Sequence, residues 1–78
     1  MNKIRFYIGS KMFQFETQLK FSDNKIAIET ILHEEIKNFI TVYKLNGKPQ
    51  NISLISNSGK KLASIKDFTK INNLEIKK

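Results

Sequence analysis

The chain contains a single histidine, His33, and two carboxylates follow it directly, Glu34 and Glu35. Residues of these types bind metals and move protons, so their spacing decides whether they can act together. They fall in a stretch whose apolar residues recur at helical intervals. On a helix, neighbouring side chains diverge by about 100°, so His33, Glu34 and Glu35 do not converge on one ion. His33 therefore reads as a surface or cap-contact residue. Glu35 falls near the centre of the apolar stripe. It either sits at the rim of whatever the helix covers, the favoured reading, or is partly buried and paired, with a lysine of the sheet as candidate. With no cysteine in the chain, disulfide scaffolds, thiolate zinc sites and cysteine nucleophiles are excluded together. No glycine-rich phosphate loop, paired catalytic carboxylates or nucleophile–base arrangement can be read. The sequence argues against an enzyme, and it implies no cofactor, metal or small-molecule substrate.

The remaining chemical signal is charge. The formal net charge is +7, unevenly spread: residues 1–39 hold six basic and five acidic side chains, residues 40–78 eight and two. Such a balance is the electrostatic footprint of phosphate binding. Thirteen of the fourteen cations, however, are lysines, and Arg5 alone offers a planar bidentate fork. A Lys-, Ile- and Asn-rich composition is also what an AT-rich genome produces. A solvated lysine surface is preferred to a nucleic-acid site.

The element that must position any site is the helix expected over residues 25–45. Ile28, Ile31, Leu32, Ile36, Phe39, Val42 and Tyr43 share one side, and Glu29, Glu34, Lys37, Asn38, Thr41 and Lys44 occupy the other. Ser22, Asp23 and Asn24 are three N-cap candidates in succession. Gly47 and Pro49 stop the helix, with Gly47 suited to a left-handed position after its last turn. A helix with one apolar face needs a sheet to lie on. Residues 3–8 alternate, with Ile4, Phe6 and Ile8 on one side and Arg5 and Tyr7 on the other; residues 12–19 alternate with Phe13, Phe15 and Leu19 inward. Gly9 and Ser10 between them make a hairpin. After the helix, residues 51–56 read as a strand, 57–60 as a turn, 61–63 as a short strand, 64–70 as an irregular connection anchored by Phe68, and 74–77 as a last strand. No repeat, linker or run of roughly 20 apolar residues is present, so residues 1–78 are expected to form one domain that does not span a membrane. The N-terminus lacks a signal-peptide pattern, and a soluble cytoplasmic protein is expected.

The order strand, strand, helix, strand, short strand, strand is that of an α+β domain of β-grasp type, a mixed four- to five-stranded sheet packed on one helix. The segment Leu19-Lys20-Phe21-Ser22-Asp23 before the helix resembles the entry to the ubiquitin helix. Leu54-Ile55, then Gly59-Lys60-Lys61-Leu62, resembles its third strand, turn and short fourth strand, and Leu74-Glu75-Ile76 falls where its last strand stands. The conjugating members of this family end in Gly-Gly. This sequence ends Glu75-Ile76-Lys77-Lys78, so neither conjugation nor sulfur carriage is expected. By size and element order it is similar to the YukD/EsaB family, ubiquitin-like accessory components of type VII secretion in Gram-positive bacteria, although Asn72-Asn73 stands where members often have Gly-Asp. The resemblance implies a non-enzymatic adaptor whose partner is a protein, such as the cytosolic domain of a membrane secretion component.

If Ile4, Phe6, Ile8, Leu54 and Ile76 face the helix, the opposite sheet face shows Arg5, Tyr7, Ile55, Glu75 and Lys77. An exposed Ile beside Tyr and Lys has the composition of a docking patch, and Ile55 aligns with the centre of ubiquitin's recognition patch. Arg5, Tyr7, Ile55 and Lys77 are therefore the candidate protein-binding residues. The bland alternative is a solitary exposed Ile. The rival function is a small basic nucleic-acid-binding or regulatory protein. It is disfavoured because the first strand exposes one Tyr and one Arg in place of paired stacking aromatics. Partner identity and oligomeric state are not legible.

Overall fold

A computed structural model describes residues 1–21 and 23–66. Two seven-residue strands, β1 (Asn2–Ile8) and β2 (Lys11–Thr17), form the expected hairpin in continuous register from Asn2↔Thr17 to Ile8↔Lys11. Of the two loop residues only Gly9 has a positive φ, 61°, the pattern of a type II′ turn, whose twist matches that of the strands. Helix α1 (Lys25–Tyr43) follows, capped by Asn24, whose side-chain oxygen accepts from the Ala27 amide at 3.1 Å. Ser22, the first of the three cap candidates, lies outside the described residues.

The helix ends earlier than expected, and Gly47 does not supply the left-handed residue after it. Lys44 does, at φ 54° and ψ 44°, with its amide donating to the Thr41 carbonyl and the Leu45 amide to that of Ile40. Those bonds close the last turn in the manner of a Schellman cap. Gly47 serves another purpose: at φ 122° its α-carbon lies so close to Ile8 that a β-carbon would overlap the Ile8 Cγ2 methyl.

Strands β3 (Gln50–Ile55) and β4 (Lys61–Ile65) complete a four-stranded sheet of order β2-β1-β3-β4. The fourth strand is two residues longer than the sequence suggests, so the connection expected from residue 64 begins later. Every pair is antiparallel. The expected mixed sheet is thus replaced, among the described residues, by an antiparallel one. Both edges of β1 are occupied, leaving only the outer edges of β2 and β4 for a further strand. Residues 74–77, read as that strand, and Phe68 and Lys77 lie outside the described residues.

Because β2 and β3 are each antiparallel to β1, they run in the same direction, and α1 connects them across one face of the sheet. That face holds the core: Ile4, Phe6, Ile52, Leu54 and Ile65 from the strands meet Ile28, Leu32 and Ile36 of the helix. Phe39 ties α1 to the hairpin, stacked on Phe15 at 4.6 Å and edge-on to Phe6 at 5.8 Å, while Phe6 stacks on Phe13 at 5.3 Å.

The buried stripe of α1 differs from the one read in the sequence. Ile31 and Val42 are exposed, Val42 by 70%, whereas Glu29 is buried at 5% and Ile40 packs against the core. At 100° per residue, the residues that touch the sheet centre about 40° around the helix from the average of the seven positions read as its apolar side. Ile31 and Val42 had pulled that average toward themselves. The rotation leaves Glu35 half-buried and paired, the alternative to the rim position favoured from the sequence. Its partner there is a hydroxyl, since Thr17 Oγ1 donates to Glu35 Oε1 at 3.0 Å and accepts from the Leu19 amide at 3.1 Å.

Candidate functional site

The sheet has two faces, and α1 covers one. Alternation along the strands sends Lys3, Arg5 and Tyr7 of β1, and Met12, Gln14 and Glu16 of β2, to the other. Ser53 and Ile55 of β3 join them, opposite Ser64 and Lys61 of β4. Two irregularities shape this face. Between Arg5 and Tyr7, β3 carries one residue more than β1, and Asn51 takes a left-handed φ of 53° there. Asn tolerates that conformation better than most side chains, which makes Asn51 suited to the bulge. The Asn51 amide donates to the Lys66 carbonyl at 3.2 Å, holding the end of β4 against the bulge. The second shift lies between Leu54 and Ile55, where β4 has the extra residue; Leu62 and Ala63 both pack against the core.

A shallow groove of about 480 Å³ crosses this face, lined by three cations, Arg5, Lys61 and Lys66, and by Tyr7. Asn51, Ser53 and Ser64 add hydrogen-bonding groups to it, and among the described residues no carboxylate lines it. Arg5 Nε donates to Gln14 Oε1 at 2.9 Å, so its guanidinium is held across β1 and β2 by a neutral partner. Glu16 stands opposite Lys3, the one acid facing this surface from the hairpin.

Among the four candidate docking residues, the structure brings Arg5 and Tyr7 together on the face that α1 does not cover and corrects the reading of Ile55. Ile55 does point to this face, but it is 5% exposed and offers no apolar anchor. Its cross-strand neighbours are Lys3 on β1 and Lys61 on β4. Lys77 is outside the described residues. Lys61, read in the sequence as the start of a short strand, and Lys66, read only as part of a basic half, are the groove residues that the candidate set missed. Lys61 could have been found by carrying strand alternation from β3 across the turn to β4. Lys66 could not, because its place depends on the bulge at Asn51.

His33 is half-buried on α1, and among the described residues no group of three His, Asp or Glu side chains could hold a metal ion. No helix among the described residues is long and apolar enough to cross a membrane. No protein-family model, curated protein or solved structure matches the chain.

Proposed function

We propose that this chain is a non-enzymatic binding module that docks a protein partner through the sheet face left open by α1. The observation that carries this reading is the groove, where Arg5 and Tyr7, residue types that anchor interfaces, stand beside Lys61 and Lys66 on a rigid four-stranded sheet. With Ile55 buried, Tyr7 replaces it as the central anchor, and the partner presents an acidic surface to the flanking cations. Truncating a central anchor costs about 2 kcal/mol or more, roughly thirtyfold in affinity. Tyr7→Ala should therefore weaken partner capture by that factor while thermal unfolding stays cooperative; equal capture by wild type and variant would defeat the reading.

The finer form of the proposal is a ubiquitin-like β-grasp adaptor of type VII secretion, acting in the cytoplasm. Its support is the order of elements and a single helix laid on one face of the sheet. The direct antiparallel β1–β3 pair is the feature such an assignment must accommodate. Co-purification with an FtsK-like ATPase of a secretion machine, lost on Tyr7→Ala, is the outcome this form requires.

The second reading, nucleic-acid binding, is favoured by one observation, a groove whose lining among the described residues includes three cations and no carboxylate. It predicts binding of an oligonucleotide tighter than about 1 μM at about 0.15 M salt with a steep salt slope, whereas protein docking predicts weak and unspecific binding there.

A further inference from the structure

Among the described residues β2 and β4 are the outer strands of the sheet, and they are built differently. Strand β4 is short and bulged, with Lys61 at its start, the devices by which natural sheets blunt an edge. Strand β2 has none of the interruptions. It pairs with β1 through all seven residues without a register shift, contains neither Pro nor Gly, and balances one Lys against one Glu. Uninterrupted segments of this length, rich in aromatics and without net charge, add further strands readily. Its core-side rings, Phe13 and Phe15, are only half-buried although they stack on Phe6 and Phe39, and Met12 on the open side is 52% exposed.

We propose that β2 pairs antiparallel with β2 of a second copy about a twofold axis at Gln14, joining two four-stranded sheets into one continuous sheet. Lys11–Thr17 extends three residues to each side of Gln14, so this centre pairs the whole strand, whereas an axis at Phe13 or Phe15 leaves residues unpaired at the ends. On the helix side it sets Phe13 against Phe15 of the second copy twice over, extending the aromatic cluster across the junction. On the open side Met12 meets Glu16. Because opposed residues point to the same side, both helices lie on one face and both grooves on the other. A partner carrying two acidic segments would then be held bivalently.

The test is sedimentation velocity on the full chain across the micromolar range. Gln14→Lys puts like charges directly opposite each other at the axis, between the two Arg5 side chains, and should shift the equilibrium to monomer. Gln14 is exposed, so the variant keeps its fold, checked by its melting curve. Gln14→Glu mixed with Gln14→Lys places opposite charges at the axis and should restore the dimer as a mixed species. A wild type that stays monomeric throughout, a dimer unaffected by Gln14→Lys, or a mixture that fails to recover would each overturn the proposal.

Discussion

Placing a methyl group at Gly47 separates two effects that glycine usually confounds. Gly47 and Gly59 both have positive φ, 122° and 94°, so alanine at either carries backbone strain of about 1–3 kcal/mol. Their surroundings differ. An added β-carbon meets nothing at Gly59, whereas at Gly47 it overlaps Cγ2 of Ile8, which packs against the core from the end of β1. Overpacking of that kind costs about 1–3 kcal/mol more, because Ile8 must move against its neighbours. In a domain of this size each kcal/mol moves the melting temperature by about 4–8 °C. Gly47→Ala should therefore melt at least about 4 °C below Gly59→Ala. In an Ile8→Ala background, where the methyl group is gone, the gap should close; the cycle would show non-additivity of about 1–3 kcal/mol. Differential scanning calorimetry of the six proteins is the assay. Equal effects at the two glycines, or a gap that persists without the Ile8 methyl, would refute the packing argument.

Asn24→Ala removes the cap on the Ala27 amide and should cost about 1 kcal/mol, read by urea titration. Thr17→Val deprives both Glu35 Oε1 and the Leu19 amide of their partner; a loss of about 1.5–3 kcal/mol is expected, most of it absent when Glu35 is already alanine. Leu32→Ala, at a position with no exposure, should cost about 2–5 kcal/mol by the same titration. Ile55→Ala should destabilise the domain by a similar amount in a thermal melt, in contrast to the selective loss of docking expected if Ile55 were exposed.

The parts of this architecture visible in the sequence are those written in local periodicity. Alternation in Ile4, Phe6, Phe13 and Phe15 marks the hairpin and its inner face, and the Asn24 cap with the apolar spacing of Ile28, Leu32 and Ile36 marks the helix. Features set by long-range pairing escape such reading. Which strand lies beside β1 depends on how the chain returns after α1, and nothing in residues 50–55 states that they will pair antiparallel with β1. The face of α1 that is buried depends on where the sheet ends, so Ile31 and Val42 look like core while Glu29 does not. The docking surface follows the same division. Arg5 and Tyr7 are legible from the alternation of β1. The burial of Ile55 between two lysines, and the arrival of Lys66 beside Asn51, need the register of three strands at once.

The central claim, that the open sheet face is the docking surface, is most directly tested by site-specific photo-crosslinking in cells. A photoreactive residue at Lys61, exposed on the open face, is compared with one at Asn38, exposed on the outer side of α1. The account predicts a discrete crosslinked species from Lys61 that disappears with Tyr7→Ala, and none from Asn38. Crosslinks from Asn38 with Lys61 silent, or a Lys61 species unaffected by Tyr7→Ala, would contradict it.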